Sequence, residues 1–365
     1  MMPIPYPENR GMEIFDRKEL RMEIVLINKK DFLDFVDVLI RKKDSEIIGV
    51  TPKANRFSFE ILDAASELCL DFDETTQSPR KFLLPPRDPL LRFTTREASS
   101  CEAVYDSTGR VIIGMHPADC AAVALCDKAY TEGESDDQYR VRREATTLIG
   151  IYPTRPYAPR FSRSMIDEND PYLAADLMMI DMGDGTYAME IVTEKGAKLI
   201  AQSAARPADA KTKAALPARK NAAPDKITLP VKRDELAGRL AGQERHETFK
   251  IRGDKCFSCG SCVNVCPTCV CFDVRDKVDL SLKTGERYRT WDGCTYENFA
   301  TVAGNHNFRK NPSDRVRHRL FRKTVYLRER FGLSGCVGCG RCTVACTADI
   351  ASIVDMVGDI VGKGN

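Results

Sequence analysis

Eight cysteines near the end of the chain fall into two runs of four with the same spacing. The first run is Cys256-x2-Cys259-x2-Cys262-x3-Cys266 and the second is Cys336-x2-Cys339-x2-Cys342-x3-Cys346. Bacterial two-cluster ferredoxins bind [4Fe-4S] clusters through this spacing, and in them the fourth cysteine of each run serves the other cluster. The sequence therefore predicts two [4Fe-4S] clusters with crossed ligands: Cys256, Cys259, Cys262 and Cys346 for cluster 1, and Cys336, Cys339, Cys342 and Cys266 for cluster 2.

Two other uses of these cysteines are a disulfide framework and a pair of zinc sites. Structural zinc sites usually combine two separated ligand pairs, which differs from the doubled run of four. The first twenty residues carry charges and prolines where a signal peptide has an apolar core, so we expect a reducing, cytoplasmic location in which disulfides are rare. Spacing and compartment both favour iron–sulfur clusters.

Three cysteines between the two runs are not needed for two clusters: Cys269, Cys271 and Cys294. Three thiolates could hold a third iron–sulfur cluster or a zinc ion, with Asp292, His306 or His318 as the fourth donor. Against such a site, cysteines two residues apart point to opposite faces of an extended segment, and buried free cysteine is common in protein cores. The sequence leaves both interpretations open.

Other signs of chemistry are few. The sequence has no Ser–His–Asp or Cys–His nucleophile set and no nickel or sirohaem pattern. It also lacks a glycine-rich phosphate loop, so a flavin could bind only by other means. We predict no catalytic residues and interpret His116 as structural. The remaining cysteines lack ligand spacing and are predicted to be small core residues: Cys69, Cys101, Cys120 and Cys126.

Length and composition exclude several classes of protein. The 365 residues are enough for two domains, and 43% hydrophobic with 30% charged residues is ordinary for a globular chain. A net charge of +2 gives no reason to expect nucleic-acid binding. No run approaches 18 uncharged apolar residues, so we expect no membrane span.

Hydrophobic periodicity predicts a mixed α and β N-terminal domain over residues 1–202. It contains a strand at 22–27, a helix capped by Asp31, a helix that begins at Asp119, a hairpin formed by 177–182 and 187–192, and a helix at 194–200. Residues 203–247 are predicted to be an Ala/Pro/Lys-rich linker, because their start can bury little apolar surface by itself. Residues 248–365 are predicted to form a ferredoxin-like dicluster domain with a long insertion between the cysteine runs. The fold class is therefore α+β.

A basic helix is predicted within that insertion. Pro312 begins it, one face is apolar, and Gly332 ends it. The segment from Arg309 to Arg330 contains nine Lys or Arg residues and only two acidic residues. The basic faces are either an ordinary solvated surface, or a positive field that docks an acidic partner, a ferredoxin or another subunit, and offsets the negative charge of the clusters.

Several longer motifs resemble a known family. In the C-terminal part they are CFSCGSCVNVCPTCVCFDV, RYRTWDGC, AGNHNFR, RVRHRLFRK and GCVGCGRC, and in the N-terminal part FLLPPRDPL, GMHPADCAAVALCDKAY and DDQYRVRRE. Together they resemble the 4Fe-4S dicluster family that includes the iron–sulfur subunits of anaerobic sulfite reductase and of sulfhydrogenase, where it is the beta subunit. Members carry further cysteines where this chain reads GIYPTRPYAPRFSRSM, so the resemblance implies a docking role for the N-terminal domain here.

The resemblance implies an electron-transfer subunit of a cytoplasmic anaerobic oxidoreductase complex. One expected partner is a flavoprotein that uses NAD(P)H or is linked to ferredoxin. The other is a terminal hydrogenase, sulfite reductase or heterodisulfide reductase subunit. The alternatives are a self-contained flavin-dependent oxidoreductase, whose N-terminal domain binds flavin or substrate, and an assembly scaffold.

Overall fold

The computed structural model describes residues 23–95 and 100–362. The strands are β1 Glu23–Asn28, β2 Glu46–Lys53, β3 Arg56–Ile61, β4 Arg87–Thr94, β5 Cys101–Ala103, β6 Arg110–Met115, β7 Thr146–Ile151, β8 Leu177–Asp181, β9 Thr186–Ile191, β10 Arg206–Pro207, β11 Phe272–Val278, β12 Thr284–Trp291, β13 Thr301–Val302 and β14 His306–Asn307.

Most helices are short. They are α1 Lys29–Lys42, α2 Arg80–Leu83, α3 Pro117–Thr131, α4 Asp137–Glu144, α5 Glu194–Ile200, α6 Ala210–Lys220, α7 Leu236–Leu240, α8 Thr248–Lys255, α9 Ser261–Asn264, α10 Pro312–Phe321, α11 Leu327–Phe331, α12 Arg341–Ala345 and α13 Ile353–Val361. Among the described residues no helix is long and apolar enough to cross a membrane.

An eight-stranded mixed sheet forms the N-terminal part, in the order β10-β1-β9-β8-β7-β6-β2-β3. Its four inner strands, β8, β7, β6 and β2, are parallel, and the outer ones are antiparallel. Strand β6 is buried from Val111 onward, as expected of a strand covered on both faces, and α3 follows it directly. The largest core cluster of the chain fills this sheet and its helices.

The predicted N-terminal elements are present, but two helices begin earlier than predicted. The strand, the 177–191 hairpin and α5 lie where the periodicity placed them. Helix α1 begins at Lys29, so Asp31 lies in its first turn and is not the cap. Helix α3 begins at Pro117 rather than Asp119, because proline is well suited to the first turn, where its missing N–H costs no hydrogen bond.

The two parts of the chain share a second sheet. The hairpin β11–β12, from between the cysteine runs, pairs with β4 in the order β11-β12-β4-β5. Beneath it the buried Asp88 carboxylate accepts hydrogen bonds from two buried arginines, Arg142 at 2.7 Å and Arg289 at 2.9 Å. Arg289 also pairs with Asp136 at the start of α4. This ion network joins the hairpin to the N-terminal part.

The segment 203–247, predicted as a linker, packs along the surface of this chain. β10 pairs with β1, and Leu216 of α6 is buried against Ile180 and Met182. Further along, Leu236 and Leu240 enter the core of the C-terminal part. These contacts order the segment against this chain's own surface. The predicted domain boundaries stay a prediction.

Asp88→Asn tests the shared ion network. The variant leaves two buried guanidinium groups with reduced compensation, and we expect it to lower the free energy of unfolding by about 3–5 kcal/mol. Urea titration monitored by circular dichroism measures this change. The matched control is Asp276→Asn, which breaks the exposed Arg287 ion pair of the same hairpin and should leave stability unchanged. Equal effects in the two variants would contradict the role given to Asp88.

Candidate metal centre

The two cysteine loops have the same backbone conformation. Gly260 and Gly340, which follow the second cysteine of each run, have φ of 76° and 79°. Each glycine begins a short helix, α9 or α12, and these helices pack against each other. At Gly340 a Cβ atom would lie 2.5 Å from the carbonyl oxygen of Pro159. Both the conformation and the contact therefore require glycine.

Backbone N–H groups point at several cysteine sulfurs. The contacts are Ser258 N–H to Cys256 Sγ at 3.4 Å, Gly338 N–H to Cys336 Sγ at 3.5 Å and Ile350 N–H to Cys346 Sγ at 3.4 Å. The first two occur at equivalent places in the two loops. Such N–H···S contacts stabilise metal-bound thiolates and tune the reduction potential of a cluster.

The four cysteines predicted for cluster 1 surround one cavity. Its wall contains Cys256, Cys259, Cys262 and Cys346 together with Arg319. Thus the fourth cysteine of the second run lies with the first three of the first run, as the crossed pattern requires. A hydrogen bond with Ser261, at 3.3 Å, lowers the pKa of Cys259, whereas burial raises the pKa of Cys262 to about 12. This donor set fits a [4Fe-4S] cluster.

The cysteines predicted for cluster 2 also lie together. The thiols of Cys336 and Cys339 each lie close enough to Cys342 and Cys266 to interact with them electrostatically. Burial is the main reason that the pKa values of Cys336 and Cys339 are raised. Cys342 also lies within electrostatic range of Cys262. The two ligand sets are therefore adjacent.

The surroundings of the two sets differ. Cys259 is exposed, and the neighbouring Phe257 has 74% of its surface exposed. Cys339 is buried and packs with Val337 against alanines of α3, including Ala118. The first set faces solvent at one side, whereas the second lies against the N-terminal part.

Arg341 fastens the second loop to the N-terminal part. This buried residue, between Gly340 and Cys342, pairs with Glu74 at 2.5 Å and with Asp119 at 2.6 Å. Its Nε donates to the Thr75 carbonyl oxygen at 2.9 Å. Burial raises the pKa of Asp119, which Arg341 opposes. Nothing in the spacing of the sequence marks these partners, because they lie more than two hundred residues away.

The basic helix buries part of its charge next to the cysteines. It continues from α10 through a π-helical turn, Arg322–Tyr326, into α11. Arg319 and Lys323 are buried. Burial lowers the pKa values of both side chains, but the neighbouring cysteine sulfurs raise them by more, so both pKa values are raised overall. The solvated-surface interpretation is therefore wrong for these two residues. Their spacing of four residues on a helix was the signal that could have identified them.

The three additional cysteines form one group. Cys269 and Cys294 are buried together, and Cys271 packs against them. The expectation that Cys269 and Cys271 point apart is wrong, because the chain turns after Cys266 and both side chains pack in one cluster with Cys294. The neighbouring Cys271 side chain, with Arg80 and Lys323 nearby, holds the pKa of Cys269 well below its usual range.

Among the three proposed fourth donors, Asp292 contacts this group through its backbone, with its carbonyl oxygen 3.9 Å from Cys269 Sγ. The His306 ring contacts Phe308, and the His318 ring contacts Tyr326. Within 23–95 and 100–362, no three His, Cys, Asp or Glu side chains converge on a single-ion site.

The cysteines outside the two runs and this group divide into two kinds. Cys120 and Cys126 are core residues, as predicted. Cys101 is exposed because it lies in β5, at the edge of the second sheet, and Cys69 is only partly buried. The prediction that all four are core residues is wrong for these two.

Comparison with known proteins points to the same part of the chain. Residues 255–350 match the family model described as a 4Fe-4S dicluster domain. Over 338 residues the chain is 28% identical to sulfhydrogenase 2 subunit beta of Pyrococcus furiosus, an alignment that covers 91% of this chain and 97% of that protein. No solved structure matches. The resemblance predicted from the motifs is confirmed, and with it the iron–sulfur, electron-transfer character of the chain.

Arg319→Gln tests the role of buried charge. A reduced cluster carries one more negative charge than an oxidised one, so loss of the cation should lower the reduction potential of cluster 1. We expect a shift on the order of 60 mV, equivalent to a tenfold change for one electron. Redox titration followed by electron paramagnetic resonance measures it. The control Arg317→Gln, which removes a more exposed charge paired with Asp314 on the same helix, should shift the potential little. Equal shifts would contradict the prediction.

Proposed function

We propose that this chain is the electron-transfer iron–sulfur subunit of a cytoplasmic anaerobic oxidoreductase complex. The observation that carries the proposal is the cavity in which the fourth cysteine of one run joins the first three of the other. Two [4Fe-4S] clusters supply one-electron transfer when bound. The chain itself supplies the thiolates, the N–H···S contacts and the buried cations that set their potentials.

The proposed ligand assignment follows the crossed pattern. The ligands of cluster 1 are the four cysteines that surround the cavity. The ligands of cluster 2 are the other four: Cys336, Cys339, Cys342 and Cys266. The fold of this part is then that of a bacterial ferredoxin with a long insertion, which contributes the β11–β12 hairpin and the basic helix. Exposure of Cys259 favours cluster 1 as the point where electrons enter or leave.

The proposed partners follow from the relative named above, whose name describes one subunit of a sulfhydrogenase. One partner is a flavoprotein that uses NAD(P)H or is linked to ferredoxin. The other is a terminal hydrogenase, sulfite reductase or heterodisulfide reductase subunit. Identifying the subunits that copurify with the chain distinguishes among these acceptors.

Cys259→Ser tests the ligand assignment. Serine removes one thiolate at the exposed side of cluster 1, and we expect the purified protein to lose about four irons together with its electron-transfer activity. Iron and acid-labile sulfide analysis measures the loss. The matched control is Cys101→Ser, at another exposed cysteine that belongs to neither run. Iron content equal in both variants would contradict the assignment.

The group of Cys269, Cys271 and Cys294 is the proposed third metal site. The cations Arg80 and Lys323, which donate to the carbonyl oxygens of Cys269 and Thr268, lie beside these thiols and would stabilise bound thiolates. Cys294→Ser should reduce bound metal by about four irons, because three thiols too far apart to converge on one ion can still hold a cluster. Metal analysis by mass spectrometry measures the loss. Metal content equal to that of Cys101→Ser would show that the three thiols are core packing.

A self-contained flavin-dependent oxidoreductase is the second candidate function. A large cavity in the N-terminal part, next to the second cysteine set, favours it. Anaerobic purification separates the two. Reduction of a dye by NADH with the isolated chain supports the second candidate, and a brown protein that is inert without partners supports the relay.

A further inference from the structure

A cavity of about 610 Å³ lies between the N-terminal sheet and α6. Its volume is within the range of sites for small organic ligands, roughly 300–1,000 Å³. Tyr152 and Tyr172 provide aromatic walls, and Pro153 and Pro217 add apolar surface. None of these residues belongs to the metal centre.

One wall is a fixed hydrogen-bond network. The Tyr172 hydroxyl donates to Glu190 at 2.7 Å and lies 2.8 Å from the Tyr152 hydroxyl. Lys220 of α6 donates to the Tyr172 hydroxyl at 2.8 Å and to Glu190 at 2.6 Å. Burial raises the pKa values of both tyrosines, so they remain neutral hydroxyl groups. The wall is therefore polar and already ordered.

Two other lining residues keep buried polar atoms without a hydrogen-bond partner. The Arg160 Nε donates a hydrogen bond to Asp225 at 2.7 Å, and one terminal nitrogen donates to the Ala223 carbonyl oxygen at 2.8 Å. The other terminal nitrogen of Arg160 has no hydrogen-bond partner. His116 stacks on Phe72, and its Nδ1 is 4.0 Å from Glu74, beyond hydrogen-bond distance. Buried groups of this kind cost stability unless something binds them.

The charged side chains that line the cavity balance, with four cations and four acids. Arg160 pairs with Asp225 and Lys220 with Glu190, and Asp167 pairs with Arg233 from outside the lining. The buried guanidinium of Arg160 still keeps one N–H group without an acceptor, and a charged donor of this kind favours an anionic group.

The cavity also adjoins the second cysteine set. Ala118 and Ile166 line the cavity and pack on their other side against Val337 and Cys339. One layer of apolar side chains therefore separates a ligand in the cavity from the second cysteine set.

We propose that this cavity binds a mononucleotide, that is, a phosphate-bearing compound with one planar ring system. The tyrosines and prolines would contact the ring. The unpartnered nitrogens of Arg160 and His116 would bind the acid group. The chain has no glycine-rich loop for a dinucleotide, which agrees with a ligand held by side chains. The inference concerns binding only, so it is tested without any electron transfer and fails separately from the relay.

Titration of the anaerobically reconstituted full-length protein with flavin mononucleotide, adenosine monophosphate and riboflavin tests the proposal. Fluorescence quenching follows the flavins, and calorimetry follows the adenosine compound. We expect saturable binding of at least one of the two phosphate compounds, and which one binds identifies a flavin or an adenine nucleotide as the source. Riboflavin, which lacks the phosphate, should bind about tenfold more weakly than flavin mononucleotide if the flavin is the ligand.

His116→Phe keeps the ring stacked on Phe72 and removes both nitrogens, and no hydrogen bond is lost on folding. It should weaken binding about tenfold. The control is Thr51→Val, which removes another unpartnered buried polar atom at a residue that does not line the cavity and should leave affinity unchanged. Absence of saturable binding by both phosphate compounds, riboflavin affinity equal to that of flavin mononucleotide, or unchanged affinity in His116→Phe would overturn the proposal.

Discussion

Burial of many cysteine sulfurs in a small volume is the constraint on which the C-terminal part depends. Metal-bound thiolates and reduced clusters are negative, and negative charge in a protein interior is costly without a counter-charge. Arg319 and Lys323 supply that counter-charge from a helix that packs over both cysteine sets. Without negative sulfur beside them, these two buried cations would themselves be costly. Helix and clusters therefore stabilise each other, and the π-helical turn at Arg322–Tyr326 lies at the place where they meet.

The two cysteine loops are alike in local backbone conformation but differ in their surroundings. Both loops turn at glycine and direct N–H groups at sulfur, yet Cys259 is exposed whereas Cys339 is covered by α3. Arg341 maintains this difference, because its two acidic partners belong to the N-terminal part. The N-terminal part therefore acts as a cover for one cluster site and leaves the other accessible. Such an arrangement suits a relay, which needs an exposed end and a protected end.

Local features of the fold could be predicted from the sequence, whereas long-range partners could not. The cysteine spacing predicts the two loops, and apolar periodicity predicts β1, the β8–β9 hairpin and α5. The predicted start of α3 is two residues late because Pro117 is itself the first residue of the helix. The turn that brings Cys269 to Cys271 depends on tertiary contacts with Arg80 and Lys323, so an extended segment was the wrong reference. The pairing of Arg341 with Glu74 and Asp119 has no local signal.

In the proposed arrangement two clusters lie side by side with crossed ligands. Adjacent reduced clusters couple magnetically, so the electron paramagnetic resonance spectrum of the fully reduced, anaerobically reconstituted protein reports on this arrangement. We expect a broadened, split signal from interacting [4Fe-4S] centres. A sharp signal typical of an isolated cluster, or a colourless protein that holds zinc and gives no signal, would contradict it.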